Sequence, residues 1–386
     1  MIRIEHAKVV LETGILWDGA ILIDGERICW VGPQAALQAP ADCCVIDAKG
    51  AYVGPGFVDI HVHGGGDAMF YADPEGAAAH FLSHGETTQL ATLYYDLDRQ
   101  EFAEAIDRVK AAMETGAAAR AIAGFYMEGP YMNPSYGASP EKNRWRGEIR
   151  EADYRLIVDR AGDLARVWAV APEREGIAPF MAYARQVNPN TVFSVGHSEA
   201  TPAQIRSLKH YGIRLQTHCM NATGRRSEYS GTRGCGPDEA CLQDPDMYAE
   251  LICDSMAIHV NPDLQRMVLQ IKGIDKLVLI SDSFVSSEPS PAALAHVDDL
   301  SFDAGGNLSG SKLTLDTACR NLMQHTNCGI AQAFLAASRN PARVIGMDRE
   351  IGTIAPGKLA NLVFVDDMFH VQQVMLHGKL QQTERK

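Results

Sequence analysis

The sequence predicts an α/β protein: a (β/α)8 TIM barrel with a small β-sandwich domain formed by the N- and C-terminal segments. Three features of the 386-residue chain predict it. Apolar runs alternate with helix-period stretches through the middle of the chain, enough for eight βα units. Both ends carry short strand-like runs instead, and ionisable residues recur where the central apolar runs stop.

At the N-terminus Ile2-Arg3-Ile4-Glu5 alternates in polarity, and the runs Ala20–Ile23 and Ile28–Val31 flank Asp24-Gly25. Asp-Gly between apolar runs marks a hairpin, because glycine reaches positive φ without a Cβ clash. Barrel strands are expected at Gly56–His61, Thr88–Leu93, Ala121–Met127, Arg166–Ala171, Val192–His197, Arg214–His218, Ala249–Asp254 and Lys276–Ser281. Stretches such as Arg99–Glu114 and Pro262–Lys272 carry apolar residues at helical spacing. Leu359–Val365 and Val371–Leu376 return to strand character. The expected division is a sandwich domain from residues 1–54 and 348–386, with the barrel at 55–347 inserted between its halves.

Charge and cysteine usage narrow the function class. A formal net charge of −13 speaks against nucleic-acid or anionic-membrane partners, so any bound phosphate needs a local cationic or backbone-amide site. None of the nine cysteines forms a C-x-x-C pair, which suits reduced thiols better than a disulfide framework or a thiolate zinc site. The first residues lack a continuous apolar core, and no apolar run approaches the roughly 20 residues that span a bilayer. The expected location is the cytoplasm.

Buried parallel strands should be almost continuously apolar, yet several here end in ionisable residues. These are Asp59, His61 and His63 on strand one, Glu128 on strand three, His197 on strand five, His218 on strand six and Asp282 on strand eight. In a TIM barrel all C-terminal strand ends open on one face, so these residues would converge. His61 and His63, two apart on a strand, point the same way. Neutral imidazoles with carboxylates suit Zn or Fe better than Mg or Ca. Glu128, His197 and His218 form one three-ligand site with an open position. His61, His63 and Asp282 allow a second metal, with Glu128 as the bridging carboxylate, so one or two divalent metals are expected per subunit.

With these residues assembled, the chain resembles the amidohydrolase superfamily and, within it, the N-acetylglucosamine-6-phosphate deacetylase family. The matching segments are Pro55 to Gly65, Met127-Glu128-Gly129-Pro130, Gly196 to Thr201, Thr217 to Ala222, Ser281-Asp282, Leu308 to Ser311, Asn340-Pro341-Ala342 and Gly352 to Leu362. The hydantoinase and urease branch bridges its metals with a carboxylated lysine on strand four, and Val167 to Glu173 contains no lysine. The deaminase branch fits the flanking sandwich segments poorly.

The resemblance implies hydrolysis of the N-acetyl group of N-acetylglucosamine 6-phosphate by a homodimer, a bound metal activating water and polarising the amide. It implies that Asp282 is the general base that passes the water proton to the departing nitrogen. His259 would support the carbonyl oxygen or the sugar. Ala138, Asn221 and Ala222 fall at substrate-binding positions, and Leu308, Ser309 and Gly310 on a loop that closes over the substrate. Phosphate would meet an arginine after strand six, where Arg225, Arg226 and Arg233 are available.

Three departures touch substrate recognition. Ser139 follows Gly137-Ala138 where the family often carries histidine or glutamine, Asp254 and His259 stand two residues further apart than in the family's pattern, and Arg225 to Pro237 does not align. The alternative substrates are therefore another N-acyl amino sugar, such as N-acetylgalactosamine 6-phosphate, or an N-acyl amino acid. A non-catalytic barrel used as a scaffold is a third reading, against which the retained ligand set speaks.

Overall fold

The structure is a computed structural model that describes residues 1–40, 42–225, 227 and 229–381. Its centre is an eight-stranded parallel sheet in which each strand pairs with its chain neighbours. The strands are Phe57–Val62, Glu86–Tyr94, Ile122–Glu128, Ala165–Val170, Val192–Val195, Ile213–Gln216, Tyr248–Ile252 and Leu277–Ile280, here barrel strands one to eight. All eight predicted strands are present, with ends that differ by at most two residues. The helices Arg99–Thr115 and Pro262–Lys272 also fall where the periodicity puts them.

The barrel closes just beyond strand eight. The Asp282 N–H donates to the His61 carbonyl at 2.9 Å, and the His63 N–H donates to the Ser283 carbonyl at 2.9 Å. Strands one and eight are wholly buried, as both faces of a helix-covered parallel sheet must be. This is the TIM barrel the sequence predicts.

The two chain ends share one mixed eight-stranded sheet. Ile2–Leu11 is its hub: it pairs antiparallel with Gly14–Asp24, and parallel with Cys44–Asp47 and Tyr52–Pro55. Leu362–Val365 and Val371–Leu376 continue from Tyr52–Pro55. Between its two parallel partners Ile2–Leu11 bends at His6, whose φ is 50°. The sheet folds over a core that includes Ile21 and Ile23 from one half and Leu362, Phe364 and Met375 from the other. The Asp24-Gly25 hairpin forms as read, with Asp24 opposite Arg27 and Gly25 at φ 59°.

Aromatic packing joins sheet to barrel. Phe57 of strand one, Phe334 and Phe369 meet with ring centroids 5.2 to 6.0 Å apart. Gly54 lies under this cluster, and a Cβ there would stand 2.1 Å from the Phe334 ring. Below the barrel, buried Asn340 donates from Nδ2 to the Ile274 and Leu277 carbonyls at 2.7 and 2.6 Å. Its place in the Asn340-Pro341-Ala342 motif is thus structural. Among the described residues no helix is long and apolar enough to cross a membrane. Phe334→Ala removes the ring that bridges both units, and a loss of about 3–5 kcal/mol in denaturant unfolding is expected.

Candidate metal centre and active-site cavity

Six side chains from five barrel strands meet at the C-terminal rim in two groups that share one residue. His61, His63, Glu128 and Asp282 form one group, and Glu128, His197 and His218 the other. All six are at most 8% exposed. The shared carboxylate faces both ways. Its Oε2 lies 3.4 Å from His61 Nε2 and 3.0 Å from His63 Nε2, while its Oε1 lies 2.8 Å from His197 Nε2 and 3.4 Å from His218 Nε2. Asp282 Oδ1 completes the first group, 3.6 Å from His61 Nε2 and 3.3 Å from His63 Nε2.

Local backbone geometry aims three of these side chains. His197, His218 and Asp282 stand just past their strand ends with φ of 46°, 27° and 48°. Left-handed backbone at a residue with a Cβ costs about 1–3 kcal/mol and persists where the surroundings impose it. Here each kink ends the strand's alternation and directs the side chain across the rim.

Proton placement tests whether the group suits a cation. The Asn221 carbonyl, 3.1 Å from His218 Nδ1, can only accept, so the neutral ring carries its proton there and turns the Nε2 lone pair inward. His61 Nδ1 faces Glu250 Oε2 at 3.2 Å, and its inward Nε2 is buried without a hydrogen-bond partner. His218 Nε2 and His197 Nε2 stand 3.1 Å apart beside Glu128, two imidazole nitrogens turned to one point. Converging lone pairs and carboxylates suit a divalent metal. The two carboxylates also make this point favourable to positive charge. Burial opposes a charge on His61 and His63, yet Glu128 and Asp282 outweigh it and raise both, His63 to about 9.

The centre opens into a cavity of about 720 Å³ lined by His63, Glu128, His197, His218 and Asp282. Ala138, Asn221, Ala222 and His259 line it too. So do Leu308, Ser309 and Gly310. They belong to a strand, Leu308–Ser311, paired antiparallel with Leu300–Phe302, where the resemblance implied a loop. Gly310 is needed at this place: it has φ 64°, and a Cβ would lie 2.8 Å from the Asp282 carbonyl oxygen.

The longer Asp254–His259 spacing has a physical explanation. The Asp254 carboxylate accepts the backbone N–H groups of Met256, Ile258 and His259 at 3.1, 3.0 and 2.9 Å, so the intervening residues wrap around it. His259 then reaches the cavity with Nδ1 3.0 Å from Asp254 Oδ2 and Nε2 3.1 Å from the Gly310 carbonyl.

The arginines lie elsewhere. Arg225 pairs with Glu239 at 2.9 Å, and Arg233, 71% exposed, reaches the same carboxylate at 3.5 Å. Neither lines the cavity. Arg226 lies outside the described residues. Lys142, which composition and motifs did not single out, is the one lysine or arginine among the described lining residues. Glu250 was missed as well, although a carboxylate inside the wholly buried strand Tyr248–Ile252 is a signal in itself.

The model of the amidohydrolase family matches residues 52–381. This chain belongs to the amidohydrolase family. A model of a bacterial imidazolonepropionase-like composite domain matches residues 19–39, within the terminal sheet. Among relatives, an N-acetylgalactosamine-6-phosphate deacetylase of Escherichia coli O157:H7 is 30% identical over 362 residues, 90% of this chain and 92% of that protein. An N-acetylglucosamine-6-phosphate deacetylase of Haemophilus influenzae is 27% identical over 383 residues, 95% of each chain. A solved structure of a mutant N-acetyl-D-glucosamine-6-phosphate deacetylase from Mycobacterium smegmatis, in complex with N-acetyl-D-glucosamine 6-phosphate, superposes with a TM-score of 0.81 at 27% identity. That likeness covers 98% of both chains. As a member of the amidohydrolase family with a buried His/Glu/Asp cluster that could hold a metal, the chain is a metal-dependent hydrolase, and the scaffold reading loses its support.

His197→Ala removes one of the imidazoles around Glu128 Oε1. After dialysis at equal free metal, metal affinity should fall by more than about 100-fold, beyond what changes to outlying partners cost. Metal analysis and circular dichroism on the same sample check this.

Proposed function

We propose that the chain hydrolyses the N-acetyl group of N-acetylglucosamine 6-phosphate to glucosamine 6-phosphate and acetate. The observation that carries this reading is the Glu128-centred ligand set at the floor of a cavity whose wall holds Asp282. His61, His63, Glu128, Asp282, His197 and His218 would hold one or two divalent metals. Zinc or iron suits imidazole and carboxylate donors. When bound, such an ion polarises the acetyl carbonyl and makes water a stronger nucleophile.

Asp282 is the proton carrier in this reading. Burial alone would raise its carboxyl, but His61 and His63 hold it below the usual carboxylate range, so it is ionised and ready to accept. It takes a proton from the attacking water and returns it to the nitrogen as the C–N bond breaks, which converts a poor amide leaving group into a neutral amine. His259, held by Asp254 and Gly310, lines the same cavity and would support the carbonyl oxygen or the sugar. Asn221 is steadied by its Nδ2 donation to the His259 carbonyl at 3.2 Å and orients the sugar with Ala222 and Ala138.

The phosphate needs a cation in a chain of net charge −13. Lys142 supplies one at the cavity, and its ammonium makes no ion pair among the described residues. Arg226 remains the other candidate. A second reading, N-acetylgalactosamine 6-phosphate as substrate, is favoured by the 30% identical relative. A homodimer in the cytoplasm completes the proposal, consistent with nine unpaired cysteines, and light scattering checks the assembly.

Metal-loaded protein should release acetate from N-acetylglucosamine 6-phosphate, chelation should abolish the release, and zinc or iron should restore it. Acetate only from the galactose epimer would select the second reading, and none from either would end both. Asp282→Asn should lower kcat by about 10²–10⁴-fold with metal retained at the His197–His218 position. Lys142→Met should raise KM for the phosphorylated sugar about tenfold or more while leaving turnover of the unphosphorylated sugar unchanged, read as the ratio of the two kcat/KM values.

A further inference from the structure

We propose that Glu250 is a positioning residue that ties the two metal-ligand groups together and sets whether the His61 position can be filled. The inference rests on the metal-centre reading above, and it is independent of which sugar is cleaved.

Glu250 sits in the middle of barrel strand seven, fully buried, and does not line the cavity. Among the described residues its side-chain hydrogen bonds are all made through one oxygen. Oε2 stands 3.2 Å from His61 Nδ1, accepts the backbone N–H of His218 at 3.1 Å, and lies 3.5 Å from the Tyr126 hydroxyl. The other oxygen, Oε1, is buried without a hydrogen-bond partner. Burial of an unsatisfied carboxylate oxygen is costly, so the contacts of Oε2 must offset it.

Each contact acts on a different ligand group. At His61 the acceptor fixes the proton on Nδ1, which leaves Nε2 as a lone pair turned towards Glu128 and Asp282. The ring also stacks on Tyr126 at 4.2 Å, so rotation alone cannot supply another partner. At His218 the same oxygen grips the backbone where φ is 27°, holding the kink that turns the imidazole inward. Tyr126 links the pair to its surroundings through Thr217 Oγ1 at 2.8 Å. One buried carboxylate thereby orients a ring from the first group and a backbone turn from the second.

Loss of the acceptor should affect the two groups unequally. His218 keeps the Asn221 carbonyl at its Nδ1, whereas His61 has no other partner there among the described residues. The experiment is titration of metal-stripped, full-length protein with Co²⁺, read by visible absorption and by bound metal per chain. Wild type should take two equivalents. Glu250→Leu and Glu250→Asp, the one unable to accept and the other too short, should bind the second equivalent about 10–100-fold more weakly and keep the first. Glu250→Gln, whose carbonyl oxygen can accept both N–H groups, should hold two equivalents within a few-fold of wild type. If the Leu variant fails to fold by circular dichroism, the Asp variant carries the same test. One equivalent in wild type, two unweakened equivalents in the Asp or Leu variant, or equal weakening of both positions would overturn the assignment. Acetate release by wild type is measured separately, so failure of the sugar assignment leaves this result readable.

Discussion

The centre depends on a single carboxylate shared between two sets of imidazoles. Glu128 presents one oxygen to His61 and His63 and the other to His197 and His218. Burial alone would raise its carboxyl, but His61, His197 and His218 hold it well below the usual range, so it stays charged inside the protein. A buried charge persists when its partners are close and oriented. The barrel supplies that orientation, because strand three lies between the strands that carry the two histidine groups. Moving Glu128 by one residue along its strand would turn its side chain to the opposite face of the sheet, and both groups would lose their common member.

Much of this was legible in the sequence because barrel strands have a strong rule to break. A buried parallel strand should be apolar, so His61, His63, Glu128, His197, His218 and Asp282 stood out wherever a run stopped at an ionisable residue. The rule also gave the eight strands, since their composition leaves few alternatives. Glu250 breaks it equally but lies within its strand, out of reach of a pattern made of strand ends. Lys142 gave no signal, since a lysine among polar loop residues is ordinary.

Other features were hidden for physical reasons. The positive φ at His197, His218 and Asp282 has no sequence signature: Asp and His adopt that backbone more often than most residues, but the tertiary setting decides at which of them. Wrapping of 255–259 around the Asp254 carboxylate depends on three backbone N–H groups, and no side-chain pattern encodes it. Charge and position single out the arginines, but Glu239 lies within reach of Arg225 and Arg233 and takes both.

The bonds that close the barrel come from the same residues that form the centre: Asp282 donates to the His61 carbonyl, and His63 to Ser283. A cylinder whose last joint lies inside its reactive mouth cannot loosen there and keep its chemistry. Whatever occupies the mouth should therefore act as a clasp on the whole cylinder, raising its resistance to unfolding by mass action and making ligand loss and unzipping of the first and last staves parts of one process.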